Sequence, residues 1–462
     1  MERRDASLAC FDRRQRVGAG ACTAFQLRAG DGVIAELTNA AAPDALTTPI
    51  RIAYLVSEYP GISHTFILRE VRRLRALNFD IRVASINDPD RPASDMAREE
   101  RTELATTFYV KRAGLRAFAG VHLKALLDRP SAYFKGLCFA IRLGGGDLGR
   151  IAFAICYFVE AVMIGQWMEA EHMDHLHVHF ATAASTVGLI ASHIFPIGFS
   201  FTVHGPDEFY DVTKYRMAEK IAGASFVVCI GYFARSQMMK LSPFCHWNKF
   251  EIAPLGVDPE VFKPDRTEHL KERFEILSVG RLVSAKGQQI LVASVDLLVK
   301  RGLHIHLRII GDGPDRKSLE CEVARRGLEG QITFEGAINQ DQIRDLYSAA
   351  DVFVLASFAE GIPVVLMEAM AMEIACISTA IAGIPELIRN GIDGLLVEAS
   401  DERGLAAAID SLSSDFTMRH RLGAAGRCRV LEKFNLNYNV ARLAQIFTDH
   451  LAVTAGTNRC AK

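Results

Sequence analysis

Short apolar runs that alternate with helical repeats, in two separate series, constrain this chain more than any other feature. Residues 51–57 (Arg-Ile-Ala-Tyr-Leu-Val-Ser) read as a buried strand. A loop (Glu58-Tyr-Pro-Gly-Ile-Ser-His64) follows, and then Phe66, Ile67, Glu70, Val71, Leu74 and Leu77 recur at helical spacing. Asn78 suits a left-handed helix end, and residues 80–86 form the next strand. Strand, helix, strand in that order implies a parallel sheet. Further short strands are expected at 177–180, 200–203 and 226–230. A second series starts at 275–280 and continues near 305–310, 331–336, 351–355, 374–378 and 394–397. Three helices, near 402–412, 415–432 and 435–453, follow without a strand between them. At 462 residues the chain is too long for one ordinary core, so two doubly wound α/β domains are expected, with ligands at the carboxyl ends of the strands.

The expected boundaries are 50–255 for an N-terminal Rossmann-like domain, 256–270 for a linker and 271–430 for a second Rossmann-like domain. Residues 431–462 are expected to form a C-terminal helix returning toward the first domain. Residues 254–264 carry three prolines and one glycine, which suits a connector. Residues 1–49 have no strand pattern and no apolar signal-peptide core, so a poorly ordered extension is expected there. A net charge of -1 gives no reason to expect nucleic acid. Ten cysteines without a C-x-x-C point to a reducing compartment and away from zinc. The apolar stretch 151–168 is interrupted by Glu160 and Gln166, so it reads as a buried or interfacial helix and not a membrane span. Residues 111–150 hold eight Lys/Arg against two Asp, mixed with Phe, Leu and Tyr. Such a segment suits either a solvated helical face or contact with an anionic membrane.

The chemistry gathers at Glu360-Gly-Ile-Pro-Val-Val-Leu-Met-Glu368. Pro363 suits the first position of a helix. Glu360 then lies on the preceding loop and Glu368 inside the helix, with free N–H groups and the positive end of the dipole between them. A nucleotide diphosphate sugar fits: phosphate on the N–H groups of Gly361, Ile362 and Val364, one carboxylate on the sugar and one on the ribose. A capping Glu360 and a water-facing Glu368 would give the same letters. Arg281 and Lys286 follow the first strand of the second series at Gly280, where two cations could clamp a diphosphate.

Nine stretches in one order resemble the family 4 retaining glycosyltransferases of the GT-B fold, of the bacterial exopolysaccharide and colanic acid type. They are Tyr59-Pro-Gly-Ile-Ser-His-Thr-Phe-Ile67, His177-Val-His-Phe180, His204-Gly-Pro-Asp207, Gly256-Val-Asp258, Gly280-Arg-Leu-Val-Ser-Ala-Lys-Gly287, Gly311-Asp-Gly-Pro314, residues 360–371, Gly383-Ile-Pro-Glu386 and Gly391–Gly394. The resemblance implies two Rossmann-like domains facing a central cleft and transfer of a hexose to a saccharide acceptor. That acceptor would be lipid-linked, at the inner membrane face of a cytoplasmic enzyme that contacts the membrane peripherally. It assigns diphosphate binding and leaving-group stabilisation to Arg281 and Lys286, the transferred sugar to Glu360, the ribose to Glu368 and transition-state support to His204. It places Gly61 under the donor phosphates, and Ser63, His64 and Asp207 toward the acceptor. No metal is implied, because the cations and the helix dipole take its place.

Three features depart from the family pattern. Ser63-His64-Thr65 replaces the commoner Ser-Glu-Thr. Glu373 and Ala382 stand where the family often has glycine, a residue that supports positive φ. These departures keep a non-catalytic nucleotide-sugar-binding homologue or assembly subunit open beside the transferase. A GT-B-like epimerase lacks placeable acid/base carboxylates. A nicotinamide dehydrogenase lacks the G-x-G-x-x-G turn after residue 279.

Overall fold

The computed structural model describes residues 49–264, 272–338 and 340–459, so the expectation for the first 48 residues and part of the proposed linker lie outside the described residues. The chain forms two parallel-sheet α/β lobes. The first sheet has β1 (Arg51–Glu58), β2 (Asp80–Asn87), β3 (Phe108–Tyr109), β4 (His175–His179), β5 (Gly198–Val203), β6 (Phe226–Cys229) and β7 (Phe250–Ile252). Their spatial order is β3-β2-β1-β4-β5-β6-β7. The second sheet has β8 (Phe274–Val279), β9 (Ile305–Ile310), β10 (Ile332–Gly336), β11 (Val352–Leu355), β12 (Ala375–Thr379) and β13 (Leu395–Val397), in the order β10-β9-β8-β11-β12-β13. Both orders reverse once, between β1 and β4 and between β8 and β11, and such switch points open a crevice at the carboxyl ends of the strands.

The strands read as near-continuous apolar runs because helices cover both faces. In β1, Ile52, Tyr54 and Val56 pack on one side with Ile67, Val71 and Leu74, while Ala53 and Leu55 face the other core. Asn78 takes φ 67 just beyond the helix Thr65–Ala76, the left-handed stop its short polar side chain favours. The helix Leu148–Ala170 is longer and more apolar than the sequence reading allowed, and by length and composition it could cross a bilayer. Its buried side (Phe158, Ala161, Val162, Ile164) belongs to the core of the first lobe, against the helices Pro130–Gly144 and Ala183–Ile194. The last helix, Leu436–Arg459, leaves the second lobe and packs Leu436, Val440, Leu443 and Phe447 among Tyr54, Ile67 and Leu74 of the first. Val257 donates its N–H to Phe434 O at 2.9 Å and accepts from Leu436 N at 3.0 Å, so the connector and the returning chain cross side by side.

Candidate functional site

Four strand ends supply the site. After β1 comes Gly61, Ser63 and His64; after β5, His204; after β8, Gly280, Arg281 and Lys286; after β11, Ser357 to Val364. The two lobes touch where their loops meet. A Cβ placed on Gly361 would lie 1.9 Å from the His204 carbonyl oxygen, so only glycine allows the second lobe this close to β5 of the first.

Lys286, seventy-four positions before Glu360, donates from Nζ to Glu360 Oε1 at 2.6 Å, and Ser357 Oγ donates to the same oxygen at 2.7 Å. Glu360 is 7% exposed, so the ion pair is largely shielded from water. Lys286 reaches this position because Gly287, at φ 61 and with no room for a Cβ beside Ala356 O, turns the chain sharply into the helix Gln288–Lys300. Gln288 Nε2 donates to Arg281 O at 2.9 Å and ties the Arg281 loop to that helix. The Arg281 side chain itself is exposed. Its charge reaches His64 across the lobes and, after burial, helps hold that imidazole below its ordinary value; the Glu58 carbonyl opposes them.

The helix carrying the second carboxylate runs Val364–Ala371. Pro363 is its N-cap, with φ -70 and ψ 124, and not its first helical residue as the sequence reading had it. Its extended ψ takes it out of the helix, so the exposed N–H end begins at Val364, whose amide lacks an intrahelical carbonyl. Ile362 packs into the core of the second lobe and Val364 lies against it, leaving their backbone as the part available to a ligand. Glu368 is buried: Arg69 Nη2 donates to Oε1 at 2.9 Å, and Tyr347 OH donates to Oε2 at 3.1 Å. Burial and the Glu368 charge hold the Tyr347 hydroxyl well above its ordinary range, so it remains a donor. Arg69 comes from the first lobe, and its guanidinium also lies over the Phe262 ring, 5.2 Å from its centre. Two carboxylate positions for hydrogen bonding remain beyond these partners.

His204 lies in an aromatic basin with Phe66 and Phe180, at centroid distances of 4.9 and 4.5 Å. Burial foremost, with the neighbouring His179 and His64, lowers its pKa well below the ordinary histidine value. His204 Nε2 is 3.0 Å from His179 Nδ1. His177, the other histidine of that strand face, hydrogen-bonds Ser200 and Thr202 at 2.8 Å and is part of the buried core. Asp207 and Ser63 are exposed on the rims.

Three anchors were not singled out from the sequence. Glu208, beside Asp207, is 1% exposed and accepts from the N–H groups of His204 (2.6 Å), Gly205 (2.8 Å) and Ala181. Lys220 donates to Ala181 O at 2.9 Å and Thr182 O at 2.6 Å, so the two side chains pin the loops after β4 and β5. Glu386 of the second lobe accepts from Tyr232 N (2.8 Å) and Phe233 N (2.6 Å), the opening amides of the helix Tyr232–Lys240 in the first. The signal for Glu208 was its place three residues after Gly205 at a short helix start, the acidic position of a capping box.

Residues 262–429 match the family Glycosyl transferases group 1. The chain is 25% identical over 411 residues to the amylovoran biosynthesis glycosyltransferase AmsK of Erwinia amylovora, spanning 86% of this chain and 99% of AmsK. It is 26% identical over 385 residues to the putative colanic acid biosynthesis glycosyltransferase WcaL of Escherichia coli, spanning 79% of this chain and 92% of WcaL. Anabaena Alr3699/HepE, solved in complex with UDP and glucose, superimposes with a TM-score of 0.66 at 18% identity, covering 86% of this chain and 99% of its own. Sucrose-phosphate synthase of Thermosynechococcus elongatus gives 0.66 at 19% identity, covering 87% and 100%. The architecture is that of the GT-B glycosyltransferase structures. The glycosyltransferase homologues, two of them named for amylovoran and colanic acid biosynthesis, indicate a transferase.

Proposed function

We propose that this chain moves a hexose from a nucleotide diphosphate sugar to a saccharide acceptor, with retention of the anomeric configuration. The observation that carries the reading is the seam at Gly361, where Glu360 with its Lys286 partner, the N-terminal end of the helix Val364–Ala371 and His204 converge from two lobes. In this reading Arg281, Lys286 and the helix N–H groups of the 361–364 turn receive the diphosphate, and their charge grows in value as negative charge builds on the leaving phosphate. Lys286 is already bound to Glu360, so a phosphate would share it and draw the carboxylate toward the sugar. Gly280 and Gly61 line the approach. Glu368 takes ribose hydroxyls with the oxygen positions that Arg69 and Tyr347 leave. Both buried carboxylates are committed to cations or hydroxyls, which favours same-face departure and return over attack by a carboxylate nucleophile. The cations and dipole supply the charge that a metal ion would otherwise bring.

A lipid-linked acceptor at the cytoplasmic face is part of the same proposal. Its support is the basic segment 111–150, which leaves Leu115, Leu127, Phe134 and Leu148 exposed beside the Lys and Arg residues. This is the pairing of apolar tips with cations that anionic bilayers attract.

A second reading, nucleotide-sugar binding without turnover, is favoured by one observation. Glu373 (φ 61) and Ala382 (φ 44) occupy left-handed backbone without being glycine. The test is a panel of uridine-, guanosine- and adenosine-linked sugars, scored by thermal stabilisation and by release of nucleoside diphosphate, with and without membrane extract. Turnover of one donor supports the transferase. Stabilisation without turnover in both conditions supports the second reading, and no response to any donor overturns both.

A further inference from the structure

A buried polar chain runs away from His204 into the first lobe, formed by residues that none of the proposed donor or acceptor contacts uses. His204 Nε2 is 3.0 Å from His179 Nδ1. His179 Nε2 is 3.3 Å from Glu70 Oε1, within ion-pair reach but outside hydrogen-bond geometry, and has no hydrogen-bond partner among the described residues. Tyr54 OH donates to that same Glu70 oxygen at 2.7 Å. The four residues come from β1, the helix Thr65–Ala76, the end of β4 and the turn after β5, so the chain ties together the elements that surround the site. His179 is fully buried, and Glu70 and His204 are each 7% exposed.

Proton counting fixes the direction of this chain. Between His179 Nδ1 and His204 Nε2 there is room for one proton only. A lone pair on Nε2 would be repelled by the Glu70 carboxylate oxygen 3.3 Å away, so in a neutral His179 the single proton belongs on Nε2, facing Glu70. His179 Nδ1 is then a bare acceptor, and His204 must donate to it from Nε2–H. The remaining nitrogen, His204 Nδ1, keeps its lone pair, and it is buried without a hydrogen-bond partner among the described residues. The main chain of His204 is held as firmly, by Glu208 on its N–H and by Gly361 against its carbonyl.

We propose that Glu70 and His179 are positioning residues which set His204 in the Nε2–H tautomer, so that Nδ1 serves as a fixed acceptor for a hydroxyl of the sugar bound at the seam. The logic is that of a carboxylate orienting an imidazole through its far nitrogen, extended by one further ring. No proton is transferred: the imidazole stays neutral and the hydroxyl donates. The effect on turnover rests on the glycosyl-transfer reading above, and the tautomer does not.

Histidine nitrogen NMR on the full chain tests both parts, with His204 assigned by comparison with His204→Gln. The wild type is expected to show His204 with its proton on Nε2 and an unprotonated Nδ1. In Glu70→Gln the amide can donate to His179 Nε2, which reverses the chain and moves the His204 proton to Nδ1. With whichever nucleotide sugar of the panel the wild type hydrolyses, kcat is expected to fall roughly tenfold to a hundredfold while KM for that donor changes by less than about threefold. Ser200→Ala removes buried hydrogen bonds from His175 and His177 next door, and it should leave the His204 tautomer and kcat in place. A wild-type His204 protonated on Nδ1 overturns the proposal even if Glu70→Gln does not fold. So does a folded Glu70→Gln that keeps its tautomer or its kcat. If the wild type hydrolyses no donor, the transferase reading fails and the spectra still decide the tautomer.

Discussion

Replacing Gly361 by alanine should damage catalysis far more than it damages the fold. The new methyl group would sit 1.9 Å from the His204 carbonyl oxygen and 3.1 Å from Ile230 Cδ1, both in the first lobe. Reaching ordinary van der Waals contact requires the seam to open by about 1.5 Å. Gly361 is not among the positive-φ residues, so alanine suits its backbone and the clash is the whole effect. Within one rigid core such overpacking costs about 1–3 kcal/mol. Here the lobes can separate slightly, which should keep the loss of stability near the lower end, about 1 kcal/mol. Separation displaces His204 from Glu360 and Lys286, and a shift of about 1 Å in reacting groups can lower the rate about a hundredfold. The assay is kcat for donor hydrolysis alongside urea unfolding. Gly330→Ala serves as the control, since a Cβ there meets nothing within 4 Å. A Gly361→Ala enzyme with wild-type kcat and wild-type stability would refute the reasoning, because it would mean that the lobes do not meet as described.

Other outcomes follow from the same structure. Arg69→Ala leaves Glu368 buried without its cation, the two side chains being 13% and 7% exposed, and should destabilise by about 3 kcal/mol. Adding Glu368→Gln should recover part of that loss in a double-mutant cycle read by urea unfolding. Glu373→Gly relieves a left-handed strain of about 1–2 kcal/mol, offset by about 0.4–1 kcal/mol of unfolded-state freedom, so chemical unfolding should show a small net gain in stability. Burial, helped by the charge of His450, lowers the His175 pKa to about 3. The folded state therefore binds fewer protons than the unfolded state, and stability falls as pH drops below 6.5. At 1.36 kcal/mol per pH unit, the His175 contribution should shrink by about 2 kcal/mol between pH 7.5 and 5. His177 and His204, lowered for the same reason, act in the same direction. Urea midpoints at the two pH values check the sign, and a more stable protein at pH 5 would contradict it.

Eleven of the thirteen strands were legible because parallel strands covered on both faces are short apolar runs with turn residues between them, and the edge strands β3 and β7 were missed because two or three residues make no such run. The helix Val364–Ala371 was legible in kind but began one residue late, since proline fits both the N-cap and the first turn and only ψ separates the two. Glu360 and Lys286 were each readable from their places after β11 and β8, yet nothing local said that they pair with each other across seventy-four positions. Asp207 was named from its motif and its neighbour Glu208 was not, because the letters do not tell which of two adjacent carboxylates is buried: Glu208 turns inward onto three amides and Asp207 faces water. Arg69 looked like any surface cation on an amphipathic helix, and its partner comes from the other lobe. Glu70 stood in the helical repeat and His179 in the His177–Phe180 motif, yet their link to each other and to His204 depends on packing between distant segments, which the sequence does not show. The positions lacking glycine were read correctly as demanding backbone: Glu373 and Ala382 both adopt positive φ.

The central claim is tested most directly by following nucleoside diphosphate release and sugar incorporation together, with a nucleotide sugar and membrane extract, for the wild type and for Lys286→Ala and Glu360→Ala. The account predicts release matched by incorporation for the wild type, and loss of both by about a hundredfold or more in either variant. Wild-type turnover in the two variants would contradict the assignment of Lys286 and Glu360, and a wild type that binds a donor but never releases its diphosphate would contradict the claim of transfer itself.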